Sequence, residues 1–214
     1  MKITKYVHSC LLVETDERVG IFDPGNYSYN SGLLDISSLP RLDDILITHE
    51  HEDHFYLPFV KELVATFPDV LIHTNDSIKK ILEANNIHNY ITANDIATVS
   101  YFRAPHESMA PLLSTMCENV GIHYLNSISH PGDSHHFNET KAILALPIAA
   151  PWGTLAMAAE VGTQLKPKYI IPIHDFQLSE TARNGTYQRL EGYFKQLGIT
   201  FLSPVDGSAQ VINL

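Results

Sequence analysis

The short apolar runs of this chain come in two rounds, and that order most narrows what it can fold into. Lys2–His8, Cys10–Glu14 and Val19–Phe22 read as strands, with turn chemistry in Thr15-Asp16-Glu17. Asp23-Pro24-Gly25 ends this unit, and Asn26–Pro40 reads as a polar loop. Past a buried run at Ile45–Ile47 the period becomes helical. Leu57, Phe59, Val60, Leu63, Val64 and Phe67 share a face, Pro58 is tolerated in the first turn and Pro68 stops the helix. A strand at Val70–His73 follows, then a helix capped at Asn75-Asp76 with Ile78, Ile81 and Leu82 inward. The second round begins with strands at Ile96–Phe102, Val120–Leu125, Ser127–His130 and Lys141–Leu146. A helix from Thr154 to Lys166, a strand at Tyr169–Ile173 and a helix capped by Ser179 continue it. That last helix turns Tyr187, Leu190, Phe194 and Leu197 inward and stops at Gly198, before strands at Phe201–Leu202 and Ala209–Ile212. β-rich, then α/β, then β-rich, then α/β predicts an α/β (α+β) chain with two sheet layers and helices outside.

Composition sets the bounds. A chain of 214 residues, 44% hydrophobic, can bury a full core and is read as one domain over 1–214. The net charge of −10 and the scatter of the 14 Lys and Arg residues speak against binding a phosphate backbone, so no nucleic-acid partner is expected. Two cysteines, Cys10 and Cys117, read as reduced packing residues. Met1–Lys5 has no apolar run behind it and no stretch reaches transmembrane length. The expectation is a soluble cytoplasmic protein with no membrane contact.

The chemistry gathers at His49-Glu50-His51-Glu52-Asp53-His54, directly after the apolar run at Ile45–Ile47. Open α/β sheets place ligand sites at such carboxyl ends of strands. Imidazole and carboxylate together suit Zn(II), Fe(II) or Mn(II). Three more polar residues follow apolar runs in the same way: His106, Asp133 and His174. If the strand ends align, seven candidate ligands converge. That number suits two metals sharing one carboxylate, with room for a bridging water or hydroxide.

His49-x-His51-x-Asp53-His54, then Ala104-Pro105-His106-Glu107, His130-Pro131-Gly132-Asp133-Ser134 and Pro172-Ile173-His174-Asp175, resemble the metallo-β-lactamase fold superfamily. The resemblance covers essentially the whole chain and points to the compact metal-dependent hydrolases near the ascorbate-6-phosphate lactonase branch. It implies a four-layer αββα sandwich with a dinuclear site at one edge. In that frame His49, His51 and His106 hold one metal, Asp53, His54 and His174 hold the other, and Asp133 bridges. Asp23 matches the superfamily's first motif as a carboxylate that orients a ligand histidine. His51 stands where flavin-linked di-iron reductases carry Glu, which argues against redox iron. The long insertion of RNA-cleaving branches and the helical extension of the glyoxalase II type are absent.

The implied activity is hydrolysis of a small ester, lactone or phosphodiester by a hydroxide bridging two divalent ions, Zn first, with Mn or Fe as alternatives. Asp53 takes a proton and Asp133 sets the metal separation. The alternatives are a di-iron redox protein and a metal-dependent binding or regulatory protein. The expected partner is a small-molecule substrate, and homo-oligomerisation is left open. His8 either lines the pocket mouth or packs, and His130 either supports the bridging loop or is plain structure. Asp175 either buttresses His174 or caps its loop. His135 and His136, just past Asp133, either face the substrate or, the preferred reading, form a solvated loop, and Trp152 reads as a pocket wall or a core residue. His73, His88 and His123 are given no function.

Overall fold

Strand alternation explains the layers. In the computed structural model, which describes residues 1–214, one sheet has seven strands and the other six. The first contains β1 (Lys2–Lys5), β2 (Leu11–Glu14), β3 (Val19–Phe22), β4 (Asp44–Leu46), β5 (Leu71–Thr74) and β6 (Tyr90–Thr92). The second contains β7 (Val99–Phe102), β8 (Gly121–Tyr124), β9 (Ile128–His130), β10 (Ile143–Pro147), β11 (Tyr169–Ile173) and β12 (Thr200–Phe201). β13 (Ala209–Val211) returns to pair with β1, giving the order β13-β1-β2-β3-β4-β5-β6 against β12-β11-β10-β9-β8-β7. Each sheet is antiparallel in its early hairpins and parallel from β3 to β6 and from β9 to β12, with helices as crossovers except between β9 and β10, which an irregular loop connects.

Successive residues of a strand point to opposite faces, so each sheet is buried twice. Leu11, Val13, Phe22 and Leu46 meet Ile122, Ile128, Ile143, Ala145 and Ile171 between the sheets. Their strand neighbours Leu12, Ile21 and Ile45 face outward onto Phe59, Val60 and Leu63 of α2 (Leu57–Thr66) and Ile78 and Leu82 of α3 (Asp76–Ala84). On the other side Leu144, Leu146 and Ile170 face α4 (Leu155–Leu165) and α5 (Glu180–Gln196). The result is the expected αββα sandwich. Caps fall where the residue types dictate: Asn75, Thr154 and Ser179 side chains accept from Ile78, Met157 and Ala182 N–H.

Two expectations need correction, and one strand has no counterpart in the sequence reading. Asn26–Pro40 is not a plain loop, because it holds a short helix α1 (Asn26–Ser31) and a 3-10 turn at Ile36–Ser38, pinned by the buried Ser28 and Ile36. Tyr90–Thr92 is a strand; only three half-buried residues long, it offers no run to detect, and its pairing with β5 creates it. Leu197 does not turn inward: the chain leaves α5 there, and the side chain is 45% exposed.

A buried polar bridge ties the sheets together. Tyr124 Oη on β8 donates to Asp44 Oδ2 on β4 at 2.7 Å. Asp44 also accepts from Arg18 Nε and Nη2 at 2.9 and 2.8 Å and lies 2.9 Å from His73 Nε2. Tyr124 reaches across because Gly20 has no side chain; a Cβ there would lie 2.8 Å from its ring. His73, given no function from sequence, belongs to this bridge.

Candidate metal centre

The loop after β4 carries His49 to His54 over the end of β3, and backbone sterics fix its path. Asn26 N–H donates to Glu52 O at 2.8 Å and Tyr56 N–H to Pro24 O at 3.0 Å, clamping the loop onto Pro24-Gly25. A Cβ on Gly25 would sit 1.9 Å from the Asp53 carbonyl oxygen, so only glycine admits this approach. His106, Asp133 and His174 arrive from the ends of β7, β9 and β11. Asn119 fastens two of these segments: its Nδ2 donates to Ala104 O and Pro131 O, and its Oδ1 accepts from Asp133 N–H. Glu107 N–H donates to Asp133 O at 2.8 Å. Gly132, at φ +61, leaves the space Asn119 occupies.

The seven predicted ligands are thereby brought together, in overlapping groups. His49, His51 and His106 offer donor atoms within 4.8 Å of one another, as do Asp53, His54 and His174. Asp133 stands between, its carboxylate oxygens 3.8, 3.5, 3.3 and 2.9 Å from Nε2 of His49, His106, His174 and His54. Each group has one further member. His8 joins the second, and Cys117, read from sequence as a packing residue, joins the first.

Hydrogen bonds decide which ring nitrogens are free. His106 Nδ1 lies 2.8 Å from Glu107 O and His174 Nδ1 2.8 Å from Ala149 O; a carbonyl only accepts, so both rings carry their proton on Nδ1. His54 Nδ1 donates to Asp23 Oδ2 at 2.7 Å. Thr48 Oγ1 gives its hydrogen to the same Oδ2 at 2.8 Å, which leaves it to accept from His49 Nδ1 at 3.1 Å. Four imidazoles are therefore held with the Nε2 lone pair aimed inward, the form that binds metal. Asp23 occupies the orienting position expected of it.

Of those inward atoms only His106 Nε2 has a neighbour in hydrogen-bond range, His51 Nδ1 at 3.3 Å. His49, His54 and His174 Nε2 and Asp133 Oδ1 are buried and lack a hydrogen-bond partner. His54 Nε2 and Asp133 Oδ1 lie 2.9 Å apart yet are misaligned for a hydrogen bond. Atoms so placed converge on a common point rather than on each other. Buried polar groups are rarely left this way, and divalent cations would satisfy these.

The electrostatics agree. Burial works against charge on His54, but Asp133, Asp23 and Asp53 outweigh it and hold its pKa well above the imidazole norm. Burial likewise opposes ionised Asp133, yet His54, His174 and His49 keep it well below the carboxylate norm. Without a cation the proton on His54 balances the carboxylates; a metal ion would displace it.

The residues around the donors acquire definite partners. Phe176 N–H donates to His8 Nδ1 at 3.3 Å, so the neutral His8 ring carries its proton on Nε2, which donates to Asp53 Oδ2 at 3.1 Å. Burial leads in pushing His8 down to about 4, which keeps it neutral. His130 accepts from Gly132 N–H and donates to Ser9 O, a structural pairing behind Asp23. Asp175 pairs with the wholly buried Lys5 at 2.6 Å and with Tyr187. His135 is not solvated: it is buried, and Nε2 donates to Pro147 O. His136 is exposed and pairs with Glu107. Trp152 Nε1 donates to Asp133 Oδ2 at 3.2 Å, placing the indole against the central carboxylate. Burial and the Glu50 carboxylate push the Cys117 thiol up to about 11.

Over the donors opens a cavity of about 150 Å³, with His51, Asp53, His106, Asp133 and His174 at its floor. Met109, Leu113, Met116, Pro151, Trp152 and Gln177 form its wall, and no Lys or Arg lines it. A larger cavity of about 470 Å³ between Tyr29 and Thr66 contains no imidazole. No helix is long and apolar enough to cross a membrane.

A family model described as the beta-lactamase superfamily domain matches residues 2–174. Protein Rv0786c of Mycobacterium tuberculosis is 28% identical over 200 residues, covering 89% of this chain and 91% of the relative. Igni18, a metallo hydrolase of the hyperthermophilic archaeon Ignicoccus hospitalis, matches with a TM-score of 0.69 at 17% identity, over 100% of this chain and 98% of that one. The diiron β-hydroxylase CmlA of Streptomyces venezuelae matches with a TM-score of 0.64 at 12% identity, over 100% of this chain and 54% of its own. At such identities the two structures share a fold with this chain, and chemistry must be argued from its own site.

Proposed function

The chain belongs to the beta-lactamase superfamily, among its metallo-β-lactamase-fold members, and on that premise we propose that it is a dinuclear metal-dependent hydrolase of small neutral esters or lactones. The observation that carries this reading is the set of four imidazoles locked with Nε2 inward around Asp133, three of them, His49, His54 and His174, with no partner from the protein. His49, His51 and His106 would hold one cation and Asp53, His54 and His174 the other, with Asp133 shared; Zn(II) suits this donor set, with Mn(II) or Fe(II) as alternatives. Bound there, the cations supply Lewis acidity and a hydroxide nucleophile at neutral pH.

The protein's own residues do the rest. Asp23 and Thr48 keep His54 and His49 in the binding tautomer. His8 donates to one oxygen of Asp53 and leaves the other free; Asp53, 23% exposed, is the carboxylate open to the cavity and takes the proton during attack. Trp152 orients Asp133 and walls the substrate. The apolar wall without a cationic side chain favours an uncharged carbonyl substrate over a phosphodiester, whose charge would have no partner outside the metals. A cytoplasmic setting and a small-molecule partner belong to the same proposal.

The test couples metal analysis to a screen of neutral esters, lactones and phosphodiesters. About two ions per chain and turnover of neutral acyl substrates are expected. Asp133→Ala should lose metal and turnover together; a fully active variant would sink the proposal. The fold likeness to CmlA keeps a di-iron redox reading in view. Iron with visible absorption in protein from iron-replete medium, and no hydrolysis, would favour it.

A further inference from the structure

Cys117 sits where a packing residue has no reason to be. Cys10, the other cysteine, is fully buried and belongs to the core cluster of the first sheet and its helices. Cys117 instead lies on the segment between His106 and β8, half-buried, with its sulfur 3.6 Å from His51 Nε2. The sulfur and one ring nitrogen from each of His49, His51 and His106 all lie within 4.8 Å of one another. His51 Nδ1 is 3.3 Å from His106 Nε2. In a tetrahedral site with metal–nitrogen bonds of about 2.0–2.1 Å and a metal–sulfur bond of about 2.3 Å, neighbouring donors are roughly 3.3–3.7 Å apart. The sulfur approaches Nε2 of His51 and His106 approaches its Nδ1, and one metal takes only one of these nitrogens; a common ion would draw in the four donor atoms that now lie within 4.8 Å of one another. A second observation points inward independently: His49 Nε2 is fully buried, unpartnered, and faces this group.

We infer that Cys117 is a fourth protein donor, as thiolate, to the metal position formed by His49, His51 and His106. The inference rests on the metal-centre reading above and deepens it by making the two positions unlike. The first becomes three imidazoles and a sulfur beside the shared Asp133, a softer set that selects Zn(II) over Mn(II). The second remains Asp53, His54 and His174 with Asp133, an oxygen- and nitrogen-donor set on the open side of the cavity. Cys117 does not line that cavity, so it can bind metal without blocking substrate.

The experiment is reconstitution of the metal-free full chain with Co(II), read by absorption, together with iodoacetamide labelling with and without Zn(II). Wild type should show a near-ultraviolet sulfur-to-cobalt charge-transfer band beside the visible cobalt bands. Cys117→Ser should lose the former and keep the latter, and Cys10→Ser should keep both. Zn(II) should shield Cys117 from alkylation, a readout that needs no variant. Wild type that binds Co(II) without the charge-transfer band overturns the thiolate assignment and leaves the metal centre standing, with Cys117 merely hydrogen-bonded to His51. Persistence of the band in Cys117→Ser overturns it equally. Failure of wild type to bind Co(II) at all overturns both readings.

Discussion

Replacing Asp23 with Asn changes one atom and should disable one metal position. Asp23 is fully buried, and both its oxygens are committed. Oδ1 accepts from Thr48 N–H at 2.8 Å, while Oδ2 accepts from Thr48 Oγ1 at 2.8 Å and His54 Nδ1 at 2.7 Å. An amide must put its NH2 at one of these places. Against Thr48 N–H it sets donor on donor in a buried site, which costs about 1–3 kcal/mol of folding stability. Against His54 it forces Nδ1 to accept, moves the ring proton to Nε2 and points that proton at Asp133, where the metal would bind. Losing such an orienting partner weakens metal binding about 10- to 100-fold, or roughly 1.4–2.7 kcal/mol. The loss should fall first on the position holding His54 and, through Thr48, on the one holding His49. Competition with a fluorescent chelator resolves the two affinities, and urea unfolding of the metal-free variant reads the stability. An Asp23→Asn protein with both affinities and the unfolding midpoint unchanged would refute the tautomer reasoning.

Three other outcomes are expected. Lys5→Met leaves Asp175 buried with Tyr187 but no cation, which should lower stability by about 3–5 kcal/mol in denaturant titration; a near-neutral change would mean that the pair is dispensable. Burial would raise the Asp44 pKa, but His73, Arg18 and Tyr124 outweigh it and bring the carboxyl from 3.8 to about 2. A folded-state pKa lowered in this way contributes stability, on the order of 2 kcal/mol, that is present above pH 3.8 and is lost as pH falls through about 2. Asp44→Asn should flatten that part of the acid-unfolding curve, and an unchanged slope would assign it to other carboxylates. Gly25→Ala drives a Cβ into the Asp53 carbonyl, so melting temperature and metal content should fall together, and wild-type values in both would show that the loop can shift freely.

Much of this was legible in the residues because it depends on local periodicity. Unbroken apolar runs at Leu11–Val13 and Ile143–Leu146 announce strands buried on both faces, and helical spacing from Leu57 to Phe67 announces the crossover that makes β4 and β5 parallel. The apolar runs before His49, His106, Asp133 and His174 mark strand ends, and parallel strands align their ends. Local pattern is silent where pairing or packing makes the structure, as at β6 and in the turns between Asn26 and Pro40.

Tertiary structure alone decided the partners. Cys117 and His8 lie 66 and 45 residues from the groups they touch, His51 and Asp53, and no spacing rule spans such a gap. Trp152 on Asp133, Lys5 on Asp175 and Tyr124 on Asp44 are likewise set by how two sheets stack. The tautomers that free four Nε2 lone pairs follow from which carbonyl, carboxylate or hydroxyl each Nδ1 meets. The residue types in the chain determined that metal-binding groups would gather at one sheet edge. Only the packed fold decided which nitrogen of each ring faces inward, because His54 and His174 are held by the distant Asp23 and Ala149, and the neighbours Thr48 and Glu107 that hold His49 and His106 are themselves set by the path of the packed loops.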